Sequence, residues 1–168
     1  TSDVDFVYAN FPFIKMISYP FSWVTPLLIV AIILFLVIVF FGLALNRLTG
    51  KGILKSFLPF LLSMVLCVGF SFYGWKFLLI IHPAYADMLH GFTYNGYSYI
   101  AAFVFLNLFI LLKVYQYFSK QEKITDLLIA PVFIWLIINV AITIYLKGAG
   151  FFIIPVFSAL LILAISIF

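Results

Sequence analysis

The chain has 168 residues, of which 67% are hydrophobic and 8% are charged, and its mean hydropathy is +1.32. Soluble globular domains have roughly 45–50% apolar and about 25% charged residues, so this composition excludes a soluble domain. Lipid is the solvent that accommodates the surplus apolar surface. The net charge of +4 is explained by basic residues near helix ends, as membrane topology requires, and we predict no nucleic-acid partner.

Residues 1–22 precede the first long apolar run and mix acidic, aromatic and proline residues. Pro12 and Pro20 disfavour one continuous helix, so we predict a segment lying at the membrane interface. The chain opens on an acidic stretch without Met and ends inside an apolar run. We therefore expect a fragment of a longer membrane domain, which the chain enters from a domain that precedes it.

Five apolar runs follow within residues 23–168, and each has the roughly 20 residues needed to cross about 30 Å of hydrocarbon. Because these runs are continuously apolar, they exclude the alternating pattern of β-barrel strands. The predicted fold is therefore all-α, a polytopic transmembrane helix bundle. Pro59 is expected in the first turn of the second helix, and Thr125 and Asp126 are N-cap candidates for the fourth. The predicted spans are residues 23–45, 56–81, 97–117, 125–146 and 149–168.

The distribution of basic residues predicts how the bundle is oriented. Residues 46–55 and 118–124 form two basic loops, which the positive-inside rule places on the cytoplasmic side. The N-terminus and the loop of residues 82–96 then lie outside, in a periplasm or an organelle lumen. The basic residues of the two loops are Arg47, Lys51, Lys55, Lys120 and Lys123.

The outer loop carries His82, Asp87 and His90, which are residue types that bind zinc or sense protons. Their spacing, H-x4-D-x2-H, matches no known metal motif, and polar loop residues are the simpler interpretation. We predict neither a metal site nor a catalytic residue in this chain.

Three polar residues lie within or near the predicted spans. Lys76 is close to a helix end, where it is able to extend its amine to the interface, although a buried functional ion is the alternative. Asn107 and Asn139 fall in the middle of the third and fourth helices, where lipid offers no hydrogen-bond partner. We expect inter-helix hydrogen bonds for both, with a polar substrate-contacting lining as the alternative.

Two stretches resemble a known family. The first runs from Val7-Tyr8 through Pro12 to Ile17-Ser18-Tyr19-Pro20 and Trp23, just before the first span. The second is His82-Pro83-Ala84-Tyr85, followed by Gly91-Phe92-Thr93-Tyr94-Asn95 and Tyr97. This arrangement resembles the membrane domain of membrane-anchored M28-family zinc aminopeptidases, in which a soluble dinuclear-zinc peptidase precedes a multi-span domain.

The resemblance implies that this chain covers only the early spans of such a domain, with an external N-terminus. None of the family's zinc ligands falls in this chain, so zinc is expected only in the preceding peptidase domain, with no cofactor here. The expected partners are the lipid bilayer and that upstream domain, and a homo-oligomer is compatible with the sequence. The candidate outer-loop contacts with the upstream domain are His82, Tyr85, Asp87, His90, Tyr94 and Asn95.

The leading functional hypothesis is a membrane domain that anchors and regulates an external zinc-dependent peptidase. The alternatives are a small-molecule transporter, with a site among Lys76, Asn107 and Asn139, and a structural subunit of a membrane complex. Transporters typically have helices broken near the midplane, whereas the prolines of this chain lie mostly in the first or second turns of the predicted helices.

Overall fold

The computed structural model describes residues 6–11, 14–85 and 95–168, and it describes only the backbone of residues 9–11, 14–17, 147 and 148. Within these ranges, five helices are long and apolar enough to cross a membrane, which confirms the predicted all-α bundle. The strands and helices are β1 Phe6–Phe11, β2 Ile14–Pro20, α1 Val24–Ala44, α2 Gly50–Ile81, α3 Gly96–Phe118, α4 Ile124–Leu127, α5 Ile129–Tyr145 and α6 Ile153–Ile167. Short 3-10 helices cover Phe21–Trp23, Pro83–Tyr85 and Lys147–Phe152.

The chain divides into two compact units. The first, which we call the three-helix unit, combines Thr1–Ser56 with Lys123–Phe168 and contains α1, α5 and α6. The second, the two-helix unit, is Phe57–Glu122 and contains α3 and most of α2. The candidate spans are Phe21–Ala44, Gly50–Ile81, Gly96–Phe118, Ile124–Tyr145 and Ala149–Ile167.

The N-terminal segment forms an antiparallel hairpin, in which Val7 pairs with Tyr19 and Tyr8 with Ser18. The sequence predicted a non-spanning segment here but not these strands. Aromatic and β-branched residues are enriched in both strands, and such residues fit a pleated, half-buried surface. Val7 is buried and Tyr8 is exposed, as expected where side chains alternate between the faces of a strand.

The core of the three-helix unit is an apolar seam with buried residues every three or four positions along each helix. This spacing keeps one stripe of a helix facing its neighbours. The buried side chains are Leu28, Ala31, Phe35 and Ile38 on α1, Ile129, Val132 and Leu136 on α5, and Ile153, Val156, Leu160, Leu163 and Ile167 on α6, joined by Leu48 from the loop after α1.

Close contacts at both ends of α1 fix how the three helices run. Val24, at the start of α1, lies against Gly150, just before α6. Gly42, near the end of α1, lies close to Ile167 at the end of α6. Helices α1 and α6 are therefore parallel. Helix α5 runs antiparallel to both, because the chain turns back between the end of α5 and the start of α6.

Helix α1 ends in a Schellman motif. Asn46 has a positive φ of 55°, and its N–H donates to the Leu43 carbonyl at 3.1 Å while the Arg47 N–H donates to the Gly42 carbonyl at 2.9 Å. Asparagine tolerates this left-handed conformation better than most residues. Leu48 then packs so closely over Gly42 that a Cβ there would lie 2.6 Å from its Cδ1 atom.

Two helix boundaries differ from the sequence prediction. Helix α2 begins at Gly50, so Pro59 lies inside it and the predicted first-turn position was wrong. Much of the predicted loop 46–55 is therefore helical, including Lys51 and Lys55. The fourth span is interrupted at Leu128, between α4 and α5. Pro131 has no N–H to donate to the Leu127 carbonyl and its ring crowds that carbonyl, which accounts for the interruption.

Candidate functional site

The hairpin is tied to the connection between α5 and α6. The Tyr19 hydroxyl donates a hydrogen bond to the Gly150 carbonyl at 2.9 Å. Gly150 also lies tightly against the hairpin and α1, since a Cβ there would be 2.6 Å from a methyl carbon of Val24 and 3.0 Å from one of Val7. The chain therefore enters its first span through a docked element rather than a loose linker.

Burial raises the pKa of the Tyr19 hydroxyl above its ordinary value of 10.0. The raised pKa means that folding favours the protonated phenol, which is the form that donates to Gly150. This contribution to stability is therefore fully present below about pH 10 and is lost as the pH rises through the raised pKa. Hairpin docking is expected to be constant across neutral pH.

Three large aromatic side chains remain exposed on and just after the hairpin. Phe6, Tyr8 and Trp23 are 47%, 58% and 60% exposed, and the rings of Phe6 and Tyr8 lie 6.4 Å apart. Aromatic residues with a polar atom favour the membrane interface and protein contacts, because they combine large area with a hydrogen-bonding group. This end of the three-helix unit therefore exposes an aromatic surface suited to the membrane interface or to a protein contact.

The opposite end of the same unit is held by a buried carboxylate. Asp126 is 1% exposed; its Oδ1 accepts from the Thr49 N–H at 3.0 Å and its Oδ2 from the Thr49 hydroxyl at 2.7 Å. The Thr49 hydroxyl oxygen in turn accepts from the Gly52 N–H at 3.2 Å, as an N-cap of α2 does. We call Thr49, Gly52 and Asp126 the carboxylate clamp.

The carboxylate clamp explains the early start of α2. Thr49 satisfies a free N–H of the first turn, and the negative charge of Asp126 lies beside the positive end of the helix dipole. Asp126 is therefore not an N-cap of its own helix: the N-cap position of α4 is Lys123, and no side chain caps it. The predicted capping roles of Thr125 and Asp126 are wrong, because Asp126 bonds to a distant segment.

In the two-helix unit, Asn107 joins α3 to α2. Its Nδ2 donates to the Ser71 hydroxyl at 3.0 Å, the Ser71 hydroxyl lies 3.3 Å from its Oδ1, and the Cys67 thiol lies 3.6 Å from its backbone carbonyl. Helices α2 and α3 also approach each other closely at Gly74, since a Cβ there would be 3.0 Å from the Phe103 ring. These contacts satisfy the mid-span polar groups of Asn107 inside the protein.

Asn139 behaves differently, because its Nδ2 donates to the Trp135 carbonyl of its own helix at 2.9 Å. Thr143 repeats this local bonding by donating to the Asn139 carbonyl at 2.8 Å. Asn139 is nevertheless buried in the three-helix unit. The inter-helix bond expected for Asn139 is thus replaced by an intra-helix one.

Lys76 is exposed on α2, with its amine 4.5 Å from the centroid of the Phe72 ring one turn earlier. This is a cation–π geometry, which an exposed side chain adopts at little cost. The contact directs the amine back along the helix surface. It does not supply the buried counter-ion that an intramembrane functional charge requires.

The described part of the loop 82–96 is an aromatic cluster. The rings of His82 and Tyr85 are 5.0 Å apart, and Tyr85 meets Tyr99 edge-on, with the hydroxyl oxygens 3.4 Å apart. Asn95 occupies the N-cap position of α3 without a side-chain cap bond. Asp87, His90 and Tyr94, the other predicted contact residues, lie outside the described residues.

The fold and these sites define a membrane-embedded helical protein whose polar groups hold helices and loops together. Among the described residues, no group of three or more His, Cys, Asp or Glu side chains is arranged to hold a metal ion. Comparisons with known protein families, curated proteins and solved structures gave no match.

Two long-range polar contacts were not predicted from the sequence: Thr49 with Asp126 and Tyr19 with Gly150. For the first contact the sequence carries only a weak signal: Thr49 stands three residues before Gly52, which is the spacing of an N-cap residue and the N–H that it accepts from. The second had none, since a tyrosine hydroxyl bonding a glycine carbonyl depends only on packing.

We expect the Ser71–Asn107 pair to stabilise the two-helix unit. Replacing Ser71 and Asn107 by alanine, singly and together, should give a coupling free energy of about 0.6–1.7 kcal/mol, as measured for polar pairs in membranes. The measurement is unfolding in mixed micelles. Ser63→Ala is the matched control, because Ser63 donates only to the Phe60 carbonyl of its own helix. Additive losses would contradict the expected bond.

Proposed function

We propose that this chain is the membrane-embedded part of a larger protein, in which it anchors and regulates an external zinc-dependent peptidase of M28 type that precedes it. The observation that carries the proposal is the docked N-terminal hairpin. Tyr19 and Gly150 hold the hairpin against the bundle, so a domain entering through β1 would be held in a defined orientation. The exposed aromatic residues beside it supply a surface for that domain.

The two ends of the three-helix unit support the orientation on which this proposal depends. The hairpin lies at the start of α1, and the 21 residues of that helix span about 30 Å, the thickness of a bilayer core. The other end carries Arg47, Lys51, Lys55 and Lys123. By the positive-inside rule that basic end is cytoplasmic, which leaves the hairpin on the external side.

The break in the fourth span also favours anchoring over transport. Transporter sites use helices that are interrupted near the membrane midplane. The break at Leu128 instead follows the short helix α4, close to the end of the span Ile124–Tyr145. Of the buried residues around it, Leu127 and Ile129 are apolar, and the Asp126 carboxylate is engaged by Thr49.

If the proposal holds, the zinc would activate water and polarise the scissile carbonyl within the preceding domain. No residue of this chain is assigned to the metal. The part played by this chain is positional: it holds the preceding domain at the membrane and limits how far that domain moves from it.

The test uses the protein expressed from its complete reading frame in lipid nanodiscs. We expect hydrolysis of aminoacyl p-nitroanilides that chelation abolishes and zinc restores. Tyr19→Phe should remove about 1 kcal/mol of hairpin docking, which hydrogen exchange of β2 measures, and should change kcat/KM for peptides. Tyr145→Phe is the matched control, because Tyr145 is exposed in the same unit and lies outside the hairpin and its aromatic surface. A complete reading frame without a zinc peptidase domain would contradict the proposal.

A further inference from the structure

A polar pocket lies at the basic end of the three-helix unit, next to the carboxylate clamp. Its volume is about 440 Å³, within the roughly 300–1,000 Å³ of small-molecule sites. The described residues that line it include two cations and three side chains able to form hydrogen bonds, and none of them is acidic. We call this the basic pocket; it is lined by Asn46, Arg47, Lys123, Ile124, Thr125, Ser166 and Ile167.

The two cations of the basic pocket are brought together by backbone contacts between distant segments. The Lys123 amine donates to the Asn46 carbonyl at 3.3 Å, and the Thr125 hydroxyl lies 3.5 Å from the Arg47 carbonyl. The Schellman motif at Asn46 orients the same loop. Arg47 and Lys123 are 76 positions apart in sequence, so their shared pocket is a product of the fold.

Asp126 lies beside the pocket but forms no ion pair with these cations. Asp126 follows Thr125 directly, but both of its oxygens accept hydrogen bonds from Thr49 and its side chain is buried. The Arg47 guanidinium forms no ion pair with a residue in the described parts of the chain. A planar guanidinium that is exposed and unpaired suits the oxygens of a phosphate group.

The position of the basic pocket relative to the apolar helix surfaces points to the source of such a phosphate. The pocket lies where α1 and α6 end, and the exposed side chains just before it, Phe41 and Ile165, are apolar. Lipid phosphates lie at this level, at the boundary between hydrocarbon and water. Basic pockets between helices on the cytoplasmic side are known to hold anionic headgroups.

We propose that the basic pocket binds a phosphate group, supplied by an anionic phospholipid whose acyl chains lie along α1 and α6. Arg47 and Lys123 pair with the phosphate oxygens. The Thr125 and Ser166 hydroxyls, which donate to the Arg47 and Ile162 carbonyls, line the same pocket. The inference is independent of the proposed peptidase, because it depends only on residues of the three-helix unit.

The test is native mass spectrometry of the full chain released from micelles containing dioleoyl phosphatidylglycerol or dioleoyl phosphatidylcholine. Arg47→Gln and Lys123→Gln should each weaken phosphatidylglycerol retention about five-fold, and the double variant about 25-fold. Glutamine at position 123 keeps a donor for the Asn46 carbonyl. Lys51→Gln is the matched control, since Lys51 is basic and exposed at the same end but does not line the pocket.

Inorganic phosphate is added as a competitor, to distinguish a lipid headgroup from a soluble phosphate as the ligand of the pocket. Retention that resists phosphate supports a lipid ligand, and displacement by phosphate supports the same pocket with a soluble ligand. An equal loss in the Lys51→Gln control would overturn the proposal in favour of general charge attraction. Equal retention of phosphatidylcholine would also overturn it. Thermal unfolding of each variant shows that a loss of binding is not a loss of folding.

Discussion

Replacement of Gly52 by alanine is expected to destabilise the chain by about 2–3 kcal/mol, the upper part of the range for overpacked sites. A Cβ at this position would overlap Oδ2 of Asp126 and lie 2.6 Å from the Thr49 hydroxyl oxygen. Both groups are held by hydrogen bonds to each other, so neither is free to move aside without breaking the carboxylate clamp. The measurement is the free energy of unfolding in mixed micelles.

Gly50→Ala provides the matched control for this prediction. Gly50 lies two residues earlier in the same first turn, and nothing lies within 4 Å of a Cβ built there. Alanine has a higher helix propensity than glycine, so Gly50→Ala should leave stability unchanged or raise it by up to about 1 kcal/mol. Equal effects at the two glycines would show that propensity, not the close approach to Asp126, decides the outcome.

Removal of the Asp126 carboxylate is the second large effect. Asp126→Ala should cost about 2–3 kcal/mol, because it leaves the Thr49 N–H and hydroxyl without their acceptor and removes two charge-assisted hydrogen bonds. Asp126→Asn should cost less, because its amide oxygen still accepts from the Thr49 N–H. The loss should appear as faster unfolding and as increased hydrogen exchange in the first turn of α2.

A double-mutant cycle separates the clamp from other effects at Asp126. Thr49→Ala removes the hydroxyl but keeps the backbone N–H, so coupling with Asp126→Ala should be about 1–2 kcal/mol. Thr125, one residue earlier, supplies a control, because its hydroxyl faces the Arg47 carbonyl and not the clamp. Strictly additive losses for Thr49 and Asp126 would mean that the observed hydrogen bonds contribute no net stability.

The number and type of spanning helices were predictable from the sequence because they depend on composition alone. A run of about 20 apolar residues crosses the bilayer wherever its neighbours lie, and its backbone groups bond within the helix. The helix starts were less predictable. Helix α2 begins at Gly50, six residues before the predicted start at Ser56, because the hydroxyl of Thr49 just before it is fixed by Asp126, 77 positions away.

The sequence also does not show which face of each helix is buried. In α1 almost every residue is apolar, so hydropathy does not distinguish Leu28 and Phe35, which are buried, from Leu36 and Phe40, which are exposed. In water the polar face of a helix marks its exposed side, whereas lipid tails are as apolar as leucine. Which face is buried depends instead on how closely the helix surfaces fit together, as the close contacts of Gly42 and Gly150 show.

The sequence by itself determined that this protein belongs in a membrane, that it is helical, and that its charges gather near helix ends. These properties follow from the free energy of placing apolar and charged groups in lipid or water, which is a sum over residues. Only the tertiary structure decided that Asp126 binds Thr49, that Tyr19 holds the hairpin to Gly150, and that Arg47 and Lys123 share a pocket. Hydrogen bonds and close packing depend on direction and distance between residues remote in sequence, and no sum over residues contains them.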